Sequence, residues 1–324
     1  MYGFPESHAA SFALLVYTSS WLKCHEPAAF CAALLDSQPL GFYAPAQIVR
    51  DAIDHGVEVR PIEVTTSRWH CTLEPSTQDL RHPAVRLGLE LVQGFNEAAA
   101  QRLVAAREQQ PFADATDLAH RAALNRGEIT RLARADALVP LTGHRRHALW
   151  TTLGLDTEAP RSAPLSTRLA AREPQASLLA PTEGQDIVAD YAHTALTLRR
   201  HPLALLRDRF TAMRLRTAAQ VSAARHKQPI RAAGIVTCRQ RPGTASGVIF
   251  VTLEDETGFA NVVVFNDLAS RQRRLLLGSR LLGVAGTLQR EGEGEHAVVH
   301  LIARRLFDHS ELLGRLVTAS RDFH

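Results

Sequence analysis

"AAGIVTCRQRPGTASGVIFVTLEDETGFANVVVF", residues 232–265, holds three apolar runs rich in β-branched residues, parted by glycine-bearing turns. Runs of that length and chemistry read as β-strands. Working outward, "RLLGVAG" (280–286) and "HAVVHLIAR" (296–304) repeat the signal, and "DLASRQRRLLL" (267–277) carries a helical pattern between the third and fourth runs. Five strands with a helix after the third is the order of an OB-fold, a small, partly open barrel. "EDETG" (254–258) supplies the tight turn between the second and third strands.

Upstream of the barrel the patterning is helical. Between residues 154 and 185, Pro160, Pro164, Pro174 and Pro181 punctuate alanine, serine and arginine without periodicity, which reads as a flexible linker. A helical connector follows over 186–228, opening with "DIVADYAHTALTLRR" (186–200). Residues 81–153 read as helices, with Asn125 to Glu128 forming a capping box. In residues 1–80, a helical period runs from His8 to Lys23 with Ser7 as its N-cap. A second helix opens on Pro27, a third ends at Gly56, and "VEVRP" (57–61) alternates like a strand. The expected fold class is multidomain α+β: helices first, an all-β barrel over 229–306, and a tail over 307–324.

The 324 residues exceed what one hydrophobic core organises, and 45% apolar with 22% charged residues is ordinary for a folded globular chain. "FALLVY" (12–17) is too short to span a bilayer and lacks the basic flank of a signal peptide, so a cytoplasmic protein with no membrane partner is expected. Cys24, Cys31, Cys71 and Cys238 form no CxxC pair and read as reduced thiols. The fifteen histidines are scattered, and no HExxH, phosphate loop, GxSxG, GxGxxG or DxD pattern occurs, so no catalytic or metal-binding residue is singled out. The pI near 9.1 rests on arginine, grouped in "RRH", "CRQRP" and "RQRR". Arginine forks suit phosphates, which leans towards nucleic acid, although GC-rich coding DNA also raises arginine content.

Two stretches have the form of a phosphate-binding hairpin. In "LELVQGFNEAAAQRLVAARE" (89–108) a helix ends, Gly94, Phe95 and Asn96 turn, and a new helix starts with its amides outward. Such a start offers a phosphate several donors and the positive end of a helix dipole. Asn96 stands where a second glycine is usual, and asparagine tolerates left-handed backbone. In "ITRLARADALVPLTGHRRHALW" (129–150) the turn runs through Gly143, followed by Arg145 and Arg146. Each stretch alone reads equally as an ordinary αα-corner. In the barrel, Arg239 and Arg241 flank the loop after the first strand, and Phe250 is either a platform for a base or part of the core, which strand alternation favours. The other loop of the usual groove, "REGEGEH" (290–296), is acidic.

Taken together, the chain resembles the C-terminal half of the bacterial C-family polymerases, the DNA polymerase III alpha subunit, and most closely their error-prone DnaE-type or ImuC branch. The resemblance lies in "YGFPESHAASFALLVYTSSWLKCHEPAAF" (2–30), similar to the end of the fingers, and in "LGLELVQGFNEAAAQRLVAARE" (87–108) and "LARADALVPLTGHRRHALW" (132–150), similar to the tandem helix-hairpin-helix domain. "LTLRRHPL" (196–203), the barrel segment 232–258 and the closing "SRDFH" (320–324) extend it over nearly the whole chain. It implies a DNA-directed DNA polymerase for damage-tolerant (translesion) synthesis, repair and replication, whose catalytic aspartates lie upstream of Met1. No cofactor is then expected in this chain itself, with Mg2+ serving the complete polymerase. It also implies that Ser7 and His8 face the incoming deoxynucleotide triphosphate, although Glu6 stands where a basic residue is common. Gly94, Asn96, Gly143, Arg145 and Arg146 are then expected to grip duplex DNA, and Arg239, Arg241 and Phe250 the single-stranded template. "QASLL" resembles a sliding-clamp peptide, with Gln175, Ser177, Leu178 and Leu179 as contacts, and damage-tolerance accessory proteins are further expected partners. The alternative is a stand-alone, non-catalytic nucleic-acid-binding protein descended from such a polymerase.

Overall fold

Proline and glycine punctuate the first helices where the sequence places them. The computed structural model describes residues 6–40, 43–79, 82–155, 178–243, 247–292, 297–316 and 321–323, apart from the side chains of residues 6, 7 and 321–323. The chain divides into two units, 1–198 and 199–324. In the first, α1 (Glu6–His25) already includes Ser7, which therefore lies inside the helix rather than capping it. Phe12, Leu14, Leu15, Val16, Tyr17 and Trp21 are all exposed. α2 (Pro27–Asp36) opens on its proline and buries Ala28, Cys31, Ala32 and Leu35, one helical face. α3 (Pro45–Asp54) turns Ile48, Val49 and Ala52 inward, and Gly56 at φ +82° takes the chain out of it.

Strands β1 (Val59–Arg60), β2 (Thr72–Glu74) and β3 (Ala84–Arg86) form a small sheet in the order β1-β3-β2. Buried Arg86 donates to Glu74 (3.0 Å), which also accepts from Arg60 (2.6 Å). A single 310 turn, Leu89–Leu91, replaces the helix expected before Gly94. Helices α4 (Glu97–Gln109), α5 (Ala115–Arg121), α6 (Arg126–Arg134), α7 (Val139–Thr142), α8 (Arg145–Leu153) and α9 (Glu183–Thr194) complete this unit. The capping box opens α6: the Glu128 amide donates to Asn125 Oδ1 and the Asn125 amide to Glu128 Oε2, each at 2.9 Å. Leu87, Leu103, Leu118, Ile129, Leu132 and Leu138 are fully buried between these elements.

Two polar groups shape the unit from inside. Arg145, 5% exposed, donates to Asp190, to Asp186 Oδ1 (2.6 Å) and to the Asp186 carbonyl (3.0 Å). The Gln93 amide adds a bond to the His193 carbonyl (2.8 Å), so α9 packs on the helices that precede it. The segment expected as one connector over 186–228 is thus shared between the units, and most of the expected linker, residues 156–177, lies outside the described residues. Elsewhere, Asp36 Oδ1 accepts from the Cys71 amide (2.9 Å), and Glu90 Oε2 lies 2.9 Å from His70 Nδ1. Burial and the neighbouring Asp36 carboxylate push Glu90 up to about 7, and burial pushes the Cys71 thiol up as well.

In the second unit, α10 (Arg207–Ala212) and α11 (Ala218–Ser222) precede the barrel. Strands β4 (Pro229–Gln240), β5 (Ile249–Asp255) and β6 (Gly258–Val264) come first. Two short helices, α12 (Asn266–Arg271) and α13 (Arg273–Gly278), replace the single one expected. The break is Gln272, whose amide side chain both donates to and accepts from the backbone of Leu306. β7 (Leu281–Glu291) and β8 (Val298–Asp308) follow, and the order β5-β6-β8-β7-β4 closes through β4–β5, with β9 (Arg321–Phe323) parallel to β4. That is the OB-fold order. Val236, Val251, Leu253, Val262, Val284, Leu288, Leu301 and Leu306 fill it. Gly286 marks a close approach: a Cβ there would stand 2.1 Å from the Ile302 carbonyl oxygen, beside the bulge at Ala285/Gly286. Asp255 ends β5 by accepting from the amides of Ala218 and Thr257, both at 2.8 Å, which seats α11 on the hairpin turn.

Removing Arg145 leaves Asp186 and Asp190 without their buried cation, so Arg145→Ala is expected to destabilise the first unit by roughly 3–5 kcal/mol. Urea denaturation followed by circular dichroism checks this, and a loss no larger than about 1 kcal/mol, typical of an exposed pair, would contradict it. Glu90 gives a pH signature. Its folded value of about 7 lies above the ordinary ~4.3 of an unfolded glutamate, so between those values the folded chain holds the extra proton. Its contribution is therefore present at low pH and lost as pH rises through about 7. Melting temperatures of the wild type and Glu90→Gln, compared from pH 5 to pH 8, are expected to shift in favour of the glutamine variant as pH rises.

Candidate nucleic-acid interface

At the Gly94 turn, φ is +72°, and α4 begins three residues later. Its first amides have no partner within the helix by construction. Asn96 is extended, φ −115°, not left-handed as its place in the hairpin suggested. It works as the N-cap, accepting from the Ala99 amide (2.8 Å) and donating to Glu128 (3.2 Å). Glu97, in the first turn, adds a negative charge that opposes a phosphate there. Arg131 of α6 offsets it. Its side chain runs between two glycines: a Cβ on Gly94 would meet Arg131 Nε at 3.1 Å, and one on Gly127 would meet its guanidinium at 3.2 Å. Arg131 is exposed and has no carboxylate partner among the described residues. Sequence reasoning missed it because two glycines distant in the chain create its berth, and their proximity is a tertiary fact.

The second turn is differently used. Gly143, at φ +83°, ends α7, and His144 caps α8. Arg145 points inward to Asp186 and Asp190, and Arg146 donates to the Leu179 carbonyl (2.8 Å) and to Gln185 (3.1 Å). His144 Nε2 lies 3.1 Å from the Leu178 carbonyl. The returning chain at 178–185 thus occupies the donors that the sequence reading offered to a duplex, and a buried, acid-paired Arg145 has no reach to a phosphate. Leu178 and Leu179 are held by their carbonyls while the Leu179 side chain is 82% exposed. Gln175 and Ser177 lie outside the described residues, as does the Ser7 side chain. His8 is exposed, its ring 4.4 Å from that of Phe12.

In the barrel, a bulge between Val236 and Cys238 changes the role of one candidate. Strict alternation from core-facing Val236 sends Arg239 outward. The extra residue turns it inward, where it is 5% exposed and donates to the carbonyls of Leu276 (2.7 Å) and Ser279 (2.6 Å) at the end of α13. Arg239 is therefore a helix cap and not a strand contact. Phe250, for which alternation favoured the core, sits half-buried on the opposite side of β5 from Val251 and Leu253. Its ring lies 6.5 Å edge-on from His300 of β8. Register joins them, since Phe250 pairs with Val263 and Val263 with Ile302. Arg241, exposed just past β4, stands at the same end, so this face keeps an aromatic pair and one arginine.

Among the described residues, Asp36, Cys71 and Glu90 bring ligand atoms within 4.8 Å of one another. A buried thiol is a soft donor that Mg2+ does not favour, so these residues do not fit a magnesium centre, and no step is routed through one. No helix among the described residues is long and apolar enough to cross a membrane.

Residues 56–148 match the helix-hairpin-helix motif family, and residues 230–306 match the OB-fold nucleic acid binding domain family. The chain is 56% identical over 324 residues to an error-prone DNA polymerase of Aromatoleum aromaticum, covering 99% of this chain and 30% of that protein. It is 58% identical over 326 residues to one of Azoarcus sp. strain BH72, covering 100% of this chain and 30% of that protein. A counterpart in Pseudomonas syringae is 51% identical over 324 residues, 99% of this chain and 31% of its own length. The chain thus spans about 30% of the length of the curated relatives it matches. By unbroken similarity through both domains, it belongs to the error-prone DNA polymerase family as a helix-hairpin-helix and OB-fold portion.

Proposed function

We propose that this chain is the DNA-holding portion of an error-prone DNA-directed DNA polymerase that serves damage-tolerant synthesis and repair. The observation that carries the reading is similarity at more than half of all positions, along the whole chain, to proteins named error-prone DNA polymerase. Nucleotide addition with Mg2+, the incoming nucleotide near Ser7 and His8, and a sliding clamp at Gln175 to Leu179 belong to this proposal as properties of the whole protein. Within the chain, duplex DNA meets the Gly94 turn, where α4 amides and Arg131 offer donors to one backbone without reading sequence. The single-stranded template lies across Phe250 and His300 with Arg241 at its edge, bases stacking on the rings. Arg145 and Arg239 act beneath these surfaces by holding α9 and α13.

Fluorescence anisotropy of a labelled duplex against salt tests the reading. Affinity is expected to fall linearly on log–log axes, and Arg131→Ala to reduce the slope by about 0.9, one duplex phosphate contact. Arg146→Ala, whose guanidinium is engaged with Leu179 and Gln185, is expected to leave the slope unchanged. No duplex binding by the 324-residue chain, or a slope lowered by Arg146→Ala and not by Arg131→Ala, contradicts it.

A further inference from the structure

Three strands of the barrel share an outer face that the reading above does not use. Register sets Arg231 of β4 beside Ala285 of β7 and Ala285 beside Arg305 of β8, while Gly283 of β7 pairs with Phe307. Alanine and glycine on the middle strand leave a shallow floor between the two arginines, whose backbones stand two strand spacings, about 10 Å, apart. Both guanidinium groups lie over the Phe307 ring, Arg231 at 5.5 Å and Arg305 at 5.0 Å from its centroid. The His309 ring lies parallel to that of Phe307, 6° between planes and 6.3 Å between centroids. It is seated against Gly283, where a Cβ would come within 2.7 Å of the imidazole.

The charge on this face is unbalanced. Arg231 and Arg305 are exposed, and so is Arg209 of α10, and none of the three meets a carboxylate among the described residues. Arg231 and Arg305 contact the aromatic ring, which fixes a guanidinium without neutralising it or using its N–H donors. Burial holds His309 below the ordinary imidazole range against the opposing charge of neighbouring Asp308, with Arg231 and Arg209 adding to the burial effect. Its Nε2 is buried and lacks a hydrogen-bond partner. Cations fixed on a flat aromatic ring, none of them ion-paired among the described residues, suit a ligand that is both polyanionic and flat.

We propose that this face of β4, β7 and β8 is a second single-strand nucleic-acid site, in which Arg231 and Arg305 bind successive backbone phosphates and Phe307 holds them in place. The proposal rests on the reading of the chain as nucleic-acid-binding, and adds a site to it. The site is separate from the Phe250 groove, because His300 and Phe307 are seven residues apart along β8, about 23 Å of strand. An acidic protein segment satisfies the charges but leaves the flat surfaces without a counterpart, so nucleic acid is favoured.

The test is anisotropy of the full chain with a labelled oligothymidylate across a salt series. The Arg231→Ala/Arg305→Ala double variant is expected to lower the log–log slope by about 1.4, two single-strand contacts at ~0.7 each. Phe250→Ala is expected to weaken binding at every salt concentration while keeping the slope. Arg231→Lys/Arg305→Lys, which keeps charge but loses the planar fork, is expected to retain most of the slope. Circular dichroism of the variants is expected to match wild type, as both arginines are exposed. A wild-type slope in the double alanine variant overturns the proposal and leaves the general reading intact. Absence of oligothymidylate and duplex binding by the wild type overturns both. Loss of polyglutamate binding in the double variant with oligothymidylate binding unchanged assigns the face to an acidic protein and overturns it.

Discussion

A buried guanidinium determines how the first unit can be used. Arg145 is removed from water, and that cost is met only because Asp186 and Asp190 arrive on α9 with oxygens at hydrogen-bonding distance. Once α9 is held there, residues 178–185 must cross the start of α8, and His144 and Arg146 bind their carbonyls. A turn that sequence alone offers to a duplex is thereby closed by the chain itself. Among the described residues the Gly94 turn has no such cover, and Arg131 lies beside it without a carboxylate partner.

In the barrel the equivalent constraint is register. The bulge after Val236 sends Arg239 to the carbonyl end of α13, and Phe250 lies on the side of β5 opposite core-facing Val251 and Leu253. One inserted residue thus removes a cation from the outer face. Glycine and alanine in β7 do similar work on the far face, where a larger residue at Gly283 displaces His309.

Much of this was legible in sequence. The five strands, the intervening helical segment, the Asp255 to Gly258 turn, the capping box at Asn125 and the proline start of α2 follow from local pattern, and local pattern is what sequence carries. Family resemblance was legible for the same reason, being spread along the chain. The side-chain assignments at Arg145, Arg239, Asn96 and Phe250 were less so. Those at Arg145 and Arg239 depend on partners 37 or more residues away, and Arg239 also on a one-residue bulge, none of which alters composition or periodicity. An arginine that binds phosphate and one that caps a helix from inside read alike until the partner is known.

Hydrogen–deuterium exchange of the full chain, with and without a primer–template bearing a single-stranded overhang, tests the central claim most directly. If the first turn and the barrel's outer strands hold DNA, exchange slows at Gly94 to Ala100 and in the flanks of β5, and stays unchanged at Gly143 to His147. Slowed exchange at Gly143 to His147 with none at Gly94 to Ala100 would contradict it, and would mean that DNA displaces the segment Arg146 holds.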